Sequence, residues 1–338
     1  MRFDRRVGLG LAFARSLLCW YVDIAPRPIS ASYAVTNRCN LRCSYCNTPF
    51  MDPTDLPLDR IELIFDRLAS LGVKRLGLAG GEPLVRKDIR QIITLAKERG
   101  FYVTLNTNLT LYERRRAEVA DADLFFTSLD GDRTQHEAAR GTGSYDGVIQ
   151  AIGQIVAEGR PVIAICVVAD HSVEAAEHLL KLAESEGFQV HFQPQCLDTA
   201  IVRGDLKAEL TNDRLRRFWQ QLLAEKRRGR PIASSGPYLE FLSGWNDFRR
   251  SAVDDPKIRC TASRGFLYID PQGKSYPCAY TKGKASAVDM LGDQWRSAIG
   301  RDTPCTSCIV GPHLEFNLLY QKPVRAGLSV FRSYVSAH

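Results

Sequence analysis

A chain of 338 residues, 45% of them hydrophobic, is long enough to bury one large core and is neither a disordered tail nor a small disulfide-stapled module. The net charge of +7 is spread over basic groups at 114–116, 216–217 and 226–230 without interleaved aromatics. That pattern argues against a nucleic-acid platform and for solvated helix faces. Ten cysteines, several at metal-ligand spacings, read in so long a chain as ligands kept reduced in a cytosol, so a cytoplasmic location is expected.

Residues 1–30 form an amphipathic segment in which Arg2, Arg5 and Arg6 precede an apolar stretch at 7–14 that Arg15 interrupts. A bilayer crossing needs about 20 apolar residues, so no transmembrane segment is expected. The stretch suits a helix packed under the core, with weak membrane-surface contact as the alternative. From residue 31, β-branched apolar runs alternate with helical periodicity. Strands are predicted at 32–36, 75–79, 102–106, 124–128, 162–168 and 189–194, with intervening helices.

Between the first two strands Ile61, Ile64, Phe65, Leu68 and Leu71 recur at helical spacing, and Asp59 with Glu62 is expected to cap that helix. A second helix near 87–99 should stop at Gly100. Right-handed crossovers put the carboxyl ends of parallel strands on one rim, where such folds keep their chemistry. The expected fold is therefore α/β, a partial (β/α)6 TIM-like barrel over 31–235. A small cysteine-rich hairpin and helix module with a tail follows over 236–338, the boundary lying near Gly236.

The rim after the first strand carries Cys39, Cys43 and Cys46, with Tyr45 before the last. Three thiolates at this spacing leave the fourth iron of a cubane cluster open, whereas electron carriers usually close theirs with a fourth cysteine. Here the next cysteine is Cys166. Zinc is disfavoured at this loop, since a structural zinc site wants four closed ligands.

The C-x3-C-x2-C spacing resembles the radical S-adenosylmethionine (radical SAM) superfamily. The resemblance extends to Gly80, Gly81, Glu82, Pro83 and Leu84, to Ser128, Leu129, Asp130 and Gly131, and to the segment from Arg140 to Tyr145. It implies a [4Fe-4S] cluster on Cys39, Cys43 and Cys46 whose open iron binds S-adenosyl-L-methionine. Tyr45 would lie near the adenine; Gly80, Gly81 and Glu82 would receive the ammonium; Arg140, assisted by Ser128, would pair with the methionine carboxylate. Asn106, Thr107 and Asn108 would reach the ribose, although the family often has glycine where this chain has Leu109. Plain alternatives stay open: Ser128 and Asp130 suit turn caps, Arg140 a surface ion pair, and the glycines a tight turn.

A second set, Cys260, Cys278, Cys305 and Cys308, brackets a predicted hairpin with a strand at 265–269 and a turn at 270–273. It resembles the twitch module of radical SAM dehydrogenases of aminocyclitol biosynthesis, a shortened SPASM domain. The resemblance implies one further [4Fe-4S] cluster held by four cysteines; zinc is the other metal that suits four thiolates. Cys19 and Cys166 read as buried small hydrophobes. Cys196, just past the sixth strand, reads as packing or as a hydrogen-atom donor.

The function implied is that of an oxidoreductase which reductively cleaves S-adenosylmethionine to a 5'-deoxyadenosyl radical and takes hydrogen from a small molecule, a sugar, an aminocyclitol or a lipid-like compound. The second cluster would accept an electron. A low-potential donor such as flavodoxin or ferredoxin would supply the first one, and His191, Asp198 and Glu240 are positional candidates for a base. Peptide maturation and cobalamin-dependent methylation rank lower, because about thirty residues precede the first strand, too few for a recognition or cobalamin domain. The alternatives are a non-catalytic iron-sulfur carrier or a zinc-stabilised binding module, of another class, or a radical SAM enzyme of peptide modification.

Overall fold

The computed structural model describes residues 10–11, 15, 28–168, 170–196, 211–250, 252–253, 259–303, 305 and 307–321. Most of the N-terminal segment, Cys19 and Asp198 lie outside the described residues. Among the described residues no helix is long and apolar enough to cross a membrane.

Six parallel strands form the frame: β1 (Ser30–Thr36), β2 (Arg75–Gly80), β3 (Tyr102–Asn106), β4 (Leu124–Ser128), β5 (Val162–Val168) and β6 (Gln189–Pro194). Helices α1 (Leu58–Ser70), α2 (Ile89–Glu98), α3 (Tyr112–Arg115), α4 (Arg133–Arg140), α5 (Ser144–Ala157) and α6 (Asp170–Glu186) connect them. Because side chains alternate across a strand, one face of each faces the helices. Ala31, Tyr33 and Val35 of β1, with Val190 and Phe192 of β6, join the large apolar core there. The opposite faces line the barrel interior, where Tyr102, Leu124 and Ile163 form a separate apolar floor. Beside it Arg75 donates to Ser30 Oγ at 3.1 Å and to Thr104 Oγ1 at 3.2 Å.

Phe65 on α1 is fully buried and meets Tyr33 and Phe101 edge-on, with ring centroids 6.0 and 6.1 Å away. Phe65→Ala should cost about 3–5 kcal/mol, read as a lower urea midpoint with the slope unchanged.

The expected cap on α1 is absent. The helix starts behind Pro57, with no side-chain cap, and Glu62 turns instead to Arg99, 3.0 Å away. A proline at the cap position supplies extended backbone without a capping oxygen, so the start rests on chain geometry. α2 does stop at Gly100, where φ is +76°.

After β6 come α7 (Asn212–Arg227), capped by Thr211, and α8 (Gly236–Ser243). The two-residue strand β7 (Ala252–Val253) follows, then β8 (Phe266–Ile269), β9 (Lys274–Tyr276) and β10 (Val288–Asp289). The hairpin of β8 and β9 turns at Gly273 as the sequence predicts. β8 pairs in parallel with β1, so the sheet has nine strands in the order β10-β9-β8-β1-β2-β3-β4-β5-β6 and the tail hairpin extends the barrel wall. β11 (Ser307–Cys308) pairs with β7, and α9 (Gly311–Gln321) runs from β6 to the segment that enters β8. A side chain at Gly311 would meet His191 and Gln193 at 3.0 Å, and one at Gly265 would meet the Tyr320 ring at 3.0 Å. Asn317 Oδ1 accepts from the Thr261 backbone and hydroxyl, both at 2.8 Å. α9 thus lies across the side that six strands leave open.

Candidate active site

The ends of β1 to β4 gather on one rim, and short polar bonds lock the β2 and β3 ends and helix α4 onto the cysteine loop. Gly81 N donates to Thr36 O at 2.7 Å and Glu82 N to Arg38 O at 2.9 Å, so the Gly80 segment runs against the loop's backbone. This closeness needs glycine: a Cβ on Gly80 would stand 2.2 Å from Thr36 O, and one on Gly81 2.3 Å from Arg38 O. From β3, Asn108 Nδ2 donates to Asn40 Oδ1 at 3.0 Å and reaches Cys39 Sγ at 3.9 Å. From α4, Ala139 O accepts from Ser44 N at 2.9 Å.

Burial raises the Cys39 thiol to about 11, and burial also raises Cys43, where Arg140 acts the other way. Such thiols become stable thiolates only beside a positive centre, which is what iron supplies. Arg140 is buried, not at the surface. Its Nη1 reaches Cys43 Sγ at 3.9 Å and its guanidinium lies 5.4 Å over the Tyr45 ring. Soft thiolate donors, a rim cleared of side chains at Gly80 and Gly81, and an arginine beside Cys43 fit a cluster carrying an aminocarboxylate ligand. Among the described residues no three His, Cys, Asp or Glu side chains close to the range of a single ion.

Glu82 is buried at the β2 end and its oxygens are already engaged. Its carboxylate accepts from Leu84 N at 2.9 Å, Thr107 Oγ1 at 2.7 Å and Asn108 N at 2.6 Å. Three of about four acceptor positions are therefore spent, two of them on tying the β2 end to the β3 end and one on the turn at Leu84. Burial lifts this carboxyl to about 7 although all three bonds pull it down. Thr107 is likewise engaged by Leu109 N at 3.0 Å, and Leu109 is left-handed at φ +58° while fully buried. A left-handed turn explains the glycine usual in the resembling family at this position. Ser128 ends β4 on the same rim, half-buried.

In the tail, Cys260 and Cys278 pack with Ala262, Phe266 and Tyr280 in one small apolar cluster. Burial pushes Cys278 up to about 12, with Cys260 adding to it, and Cys308 rises through burial and then through Cys260, Cys278 and Cys305. The four thiols therefore share one neighbourhood. His313 stacks flat on Phe266 at 4.7 Å beside them.

Of the proposed bases, His191 points into the interior from β6. Its Nδ1 contacts Ser234 Oγ at 3.0 Å, its Nε2 has no hydrogen-bond partner among the described residues, and burial lowers its pKa to about 4. Glu240 lies on α8 and pairs with Arg227 of α7 at 3.4 Å, a contact between helices. Cys196 is half-buried just past β6, its Sγ 3.7 Å from Pro194 O.

The profile of the radical SAM superfamily matches residues 33–183, the stretch that builds this rim. The PqqA peptide cyclase of Ruegeria pomeroyi is 32% identical over 312 residues, 89% of this chain and 73% of its own length. The chain belongs to the radical SAM superfamily. Fe-coproporphyrin III synthase of Methanosarcina barkeri is also 32% identical, over 132 residues, and the matched stretch spans only 33% of its length. Among solved structures, Streptococcus suis SuiB bound to S-adenosylmethionine superposes with a TM-score of 0.69 at 18% identity, over 85% of this chain and 68% of that one. anSMEcpe with bound AdoMet and the Kp18Cys peptide superposes with a TM-score of 0.63 at 15% identity, over 89% and 99%. At these identities the superpositions speak for the fold, a radical SAM partial barrel. As a radical SAM enzyme the chain uses a [4Fe-4S] cluster and S-adenosylmethionine.

Proposed function

We propose that this radical SAM enzyme takes hydrogen from a peptide. The observation that carries the reading is the 32% identity to a peptide cyclase along 89% of the chain. It displaces the small-molecule substrate expected from the sequence. When bound, the cluster and S-adenosylmethionine supply a carbon-centred oxidant strong enough for an unactivated C–H bond.

The chain's own residues do the holding. Cys39, Cys43 and Cys46 are the cluster ligands, Arg140 takes the cofactor carboxylate with Ser128 beside it, and Tyr45 packs against the guanidinium near the adenine. Gly80 and Gly81 keep the rim bare for the ammonium, while Glu82 and Thr107 hold the β2 and β3 ends in register and leave one carboxylate acceptor position for it. The inward rows of β3 and β6, with Thr104, Asn106, His191 and Gln193, offer donors and acceptors suited to peptide amides. His191, kept neutral by burial, suits hydrogen bonding better than proton removal at neutral pH.

Cys260, Cys278, Cys305 and Cys308 hold a second [4Fe-4S] cluster, fully ligated and so an outer-sphere electron acceptor. Their common neighbourhood supports this. A low-potential carrier such as flavodoxin or ferredoxin reduces the first cluster in a reducing, cytoplasmic compartment.

The test supplies the reconstituted enzyme with a pool of short peptides bearing carbon-bound deuterium and, separately, with deuterated inositol. Deuterium should enter 5'-deoxyadenosine from the peptides. Labelling from inositol alone would overturn the reading.

A further inference from the structure

Asp130 is 1% exposed, an acid sealed at the end of β4, and the chain has arranged both of its oxygens. Oδ1 accepts from Val167 N of β5 at 3.1 Å, which fixes the carboxylate against the sheet. Oδ2 accepts from Arg140 Nε at 2.6 Å. Asp130 N donates to His136 Nδ1 at 3.4 Å. His136 and Arg140 lie one turn apart on α4, on one face, and both are buried. The start of α4 is keyed to this turn by a capping box in which Asp132 and Gln135 satisfy each other's backbone donors.

A guanidinium is planar, with donors fixed in a fork. With Nε taken by Asp130 and Nη1 directed at Cys43 Sγ, Nη2 is left with no hydrogen-bond partner among the described residues. The free end of the fork lies beside the cluster loop.

We propose that Asp130 is the positioning residue of the cofactor-carboxylate site: it holds Arg140 by Nε so that the far edge of the fork faces the methionine carboxylate, and it balances the buried positive charge while no carboxylate is there. The proposal rests on the assignment of Arg140 to that carboxylate and not on the identity of the substrate.

The test compares S-adenosylmethionine with 5'-methylthioadenosine, which keeps the nucleoside and lacks the aminocarboxylate. On anaerobically reconstituted protein, Asp130→Asn should weaken S-adenosylmethionine by about tenfold and leave methylthioadenosine unchanged. A general loosening of the rim would weaken both alike, and that result, or no change in either, overturns the proposal. Because Asp130→Asn leaves a buried unpaired guanidinium, it is also examined where that charge is gone. Arg140→Gln and the double variant Asp130→Asn with Arg140→Gln should bind S-adenosylmethionine equally, and a further loss in the double variant overturns the proposal. No peptide enters these measurements, so failure here leaves the peptide reading standing, and failure of the deuterium experiment leaves Asp130 standing.

Discussion

Replacing Cys39, Cys43 and Cys46 together by alanine should abolish formation of 5'-deoxyadenosine and lower the iron bound from about eight atoms per chain to about four. Among the described residues the polar side chains near the loop are Asn108, Arg140, and the carboxylates of Glu82 and Asp130, which are already engaged by backbone, threonine and arginine donors. Cys260 and Cys278 lie in a separate apolar cluster with Cys305 and Cys308 in their neighbourhood, so the iron held there should survive. The converse variant, lacking Cys260 and Cys278, should keep about four irons and still cleave S-adenosylmethionine, while losing turnover that needs an electron acceptor. Iron content by colorimetry, zinc content by mass spectrometry and 5'-deoxyadenosine by chromatography read all of this from one sample. Retention of eight irons in the triple variant would sink the ligand assignment, and zinc in place of the tail iron would sink the second cluster.

Gly81→Ala should cost about 2–4 kcal/mol and weaken S-adenosylmethionine severely. The reason is contact: the new Cβ would stand 2.3 Å from Arg38 O and 2.7 Å from Asn37 O, both backbone atoms of the cluster loop. No rotamer relieves such an overlap, so either the β2 end or the loop must move, and with it the bonds from Gly81 N and Glu82 N. Gly100→Ala is the informative control. It adds a side chain where φ is +76° and nothing stands within 4 Å, so it should cost only the left-handed penalty of about 1–2 kcal/mol and leave cofactor binding alone. Equal losses of binding in the two variants would mean that backbone strain, not the close approach, governs the rim.

Much of the barrel is legible in local pattern. A strand buried on both faces reads as a short apolar run, and β3, β4, β5 and β6 begin and end where the sequence predicts. The rim motifs follow because crossover handedness puts strand ends together. What local pattern cannot carry is partnership across the chain. β8 adds to β1 through register between segments more than two hundred residues apart, and a hairpin signal does not say which sheet it will join. Asp130 looks like a turn cap beside a glycine, and only the fold of α4 brings Arg140 back to it, ten residues on. Glu82 reads as a ligand contact, and only the fold shows that Thr107 and Asn108 also engage its oxygens. Glu62 reads as a cap until Pro57 sets the helix start and Arg99 claims the carboxylate. Substrate class is hidden for the same reason, since the inward rows of β3 and β6 face one interior only in the folded partial barrel.

The most direct measurement is anaerobic: chain reconstituted with iron and sulfide, reduced with dithionite, given S-adenosylmethionine and assayed for 5'-deoxyadenosine beside the Cys43→Ala variant. A three-cysteine cluster with an open iron predicts steady formation by the wild-type chain and none by the variant. Protein that carries its full iron and yet yields no 5'-deoxyadenosine, or a variant that yields as much as the wild type, would contradict it.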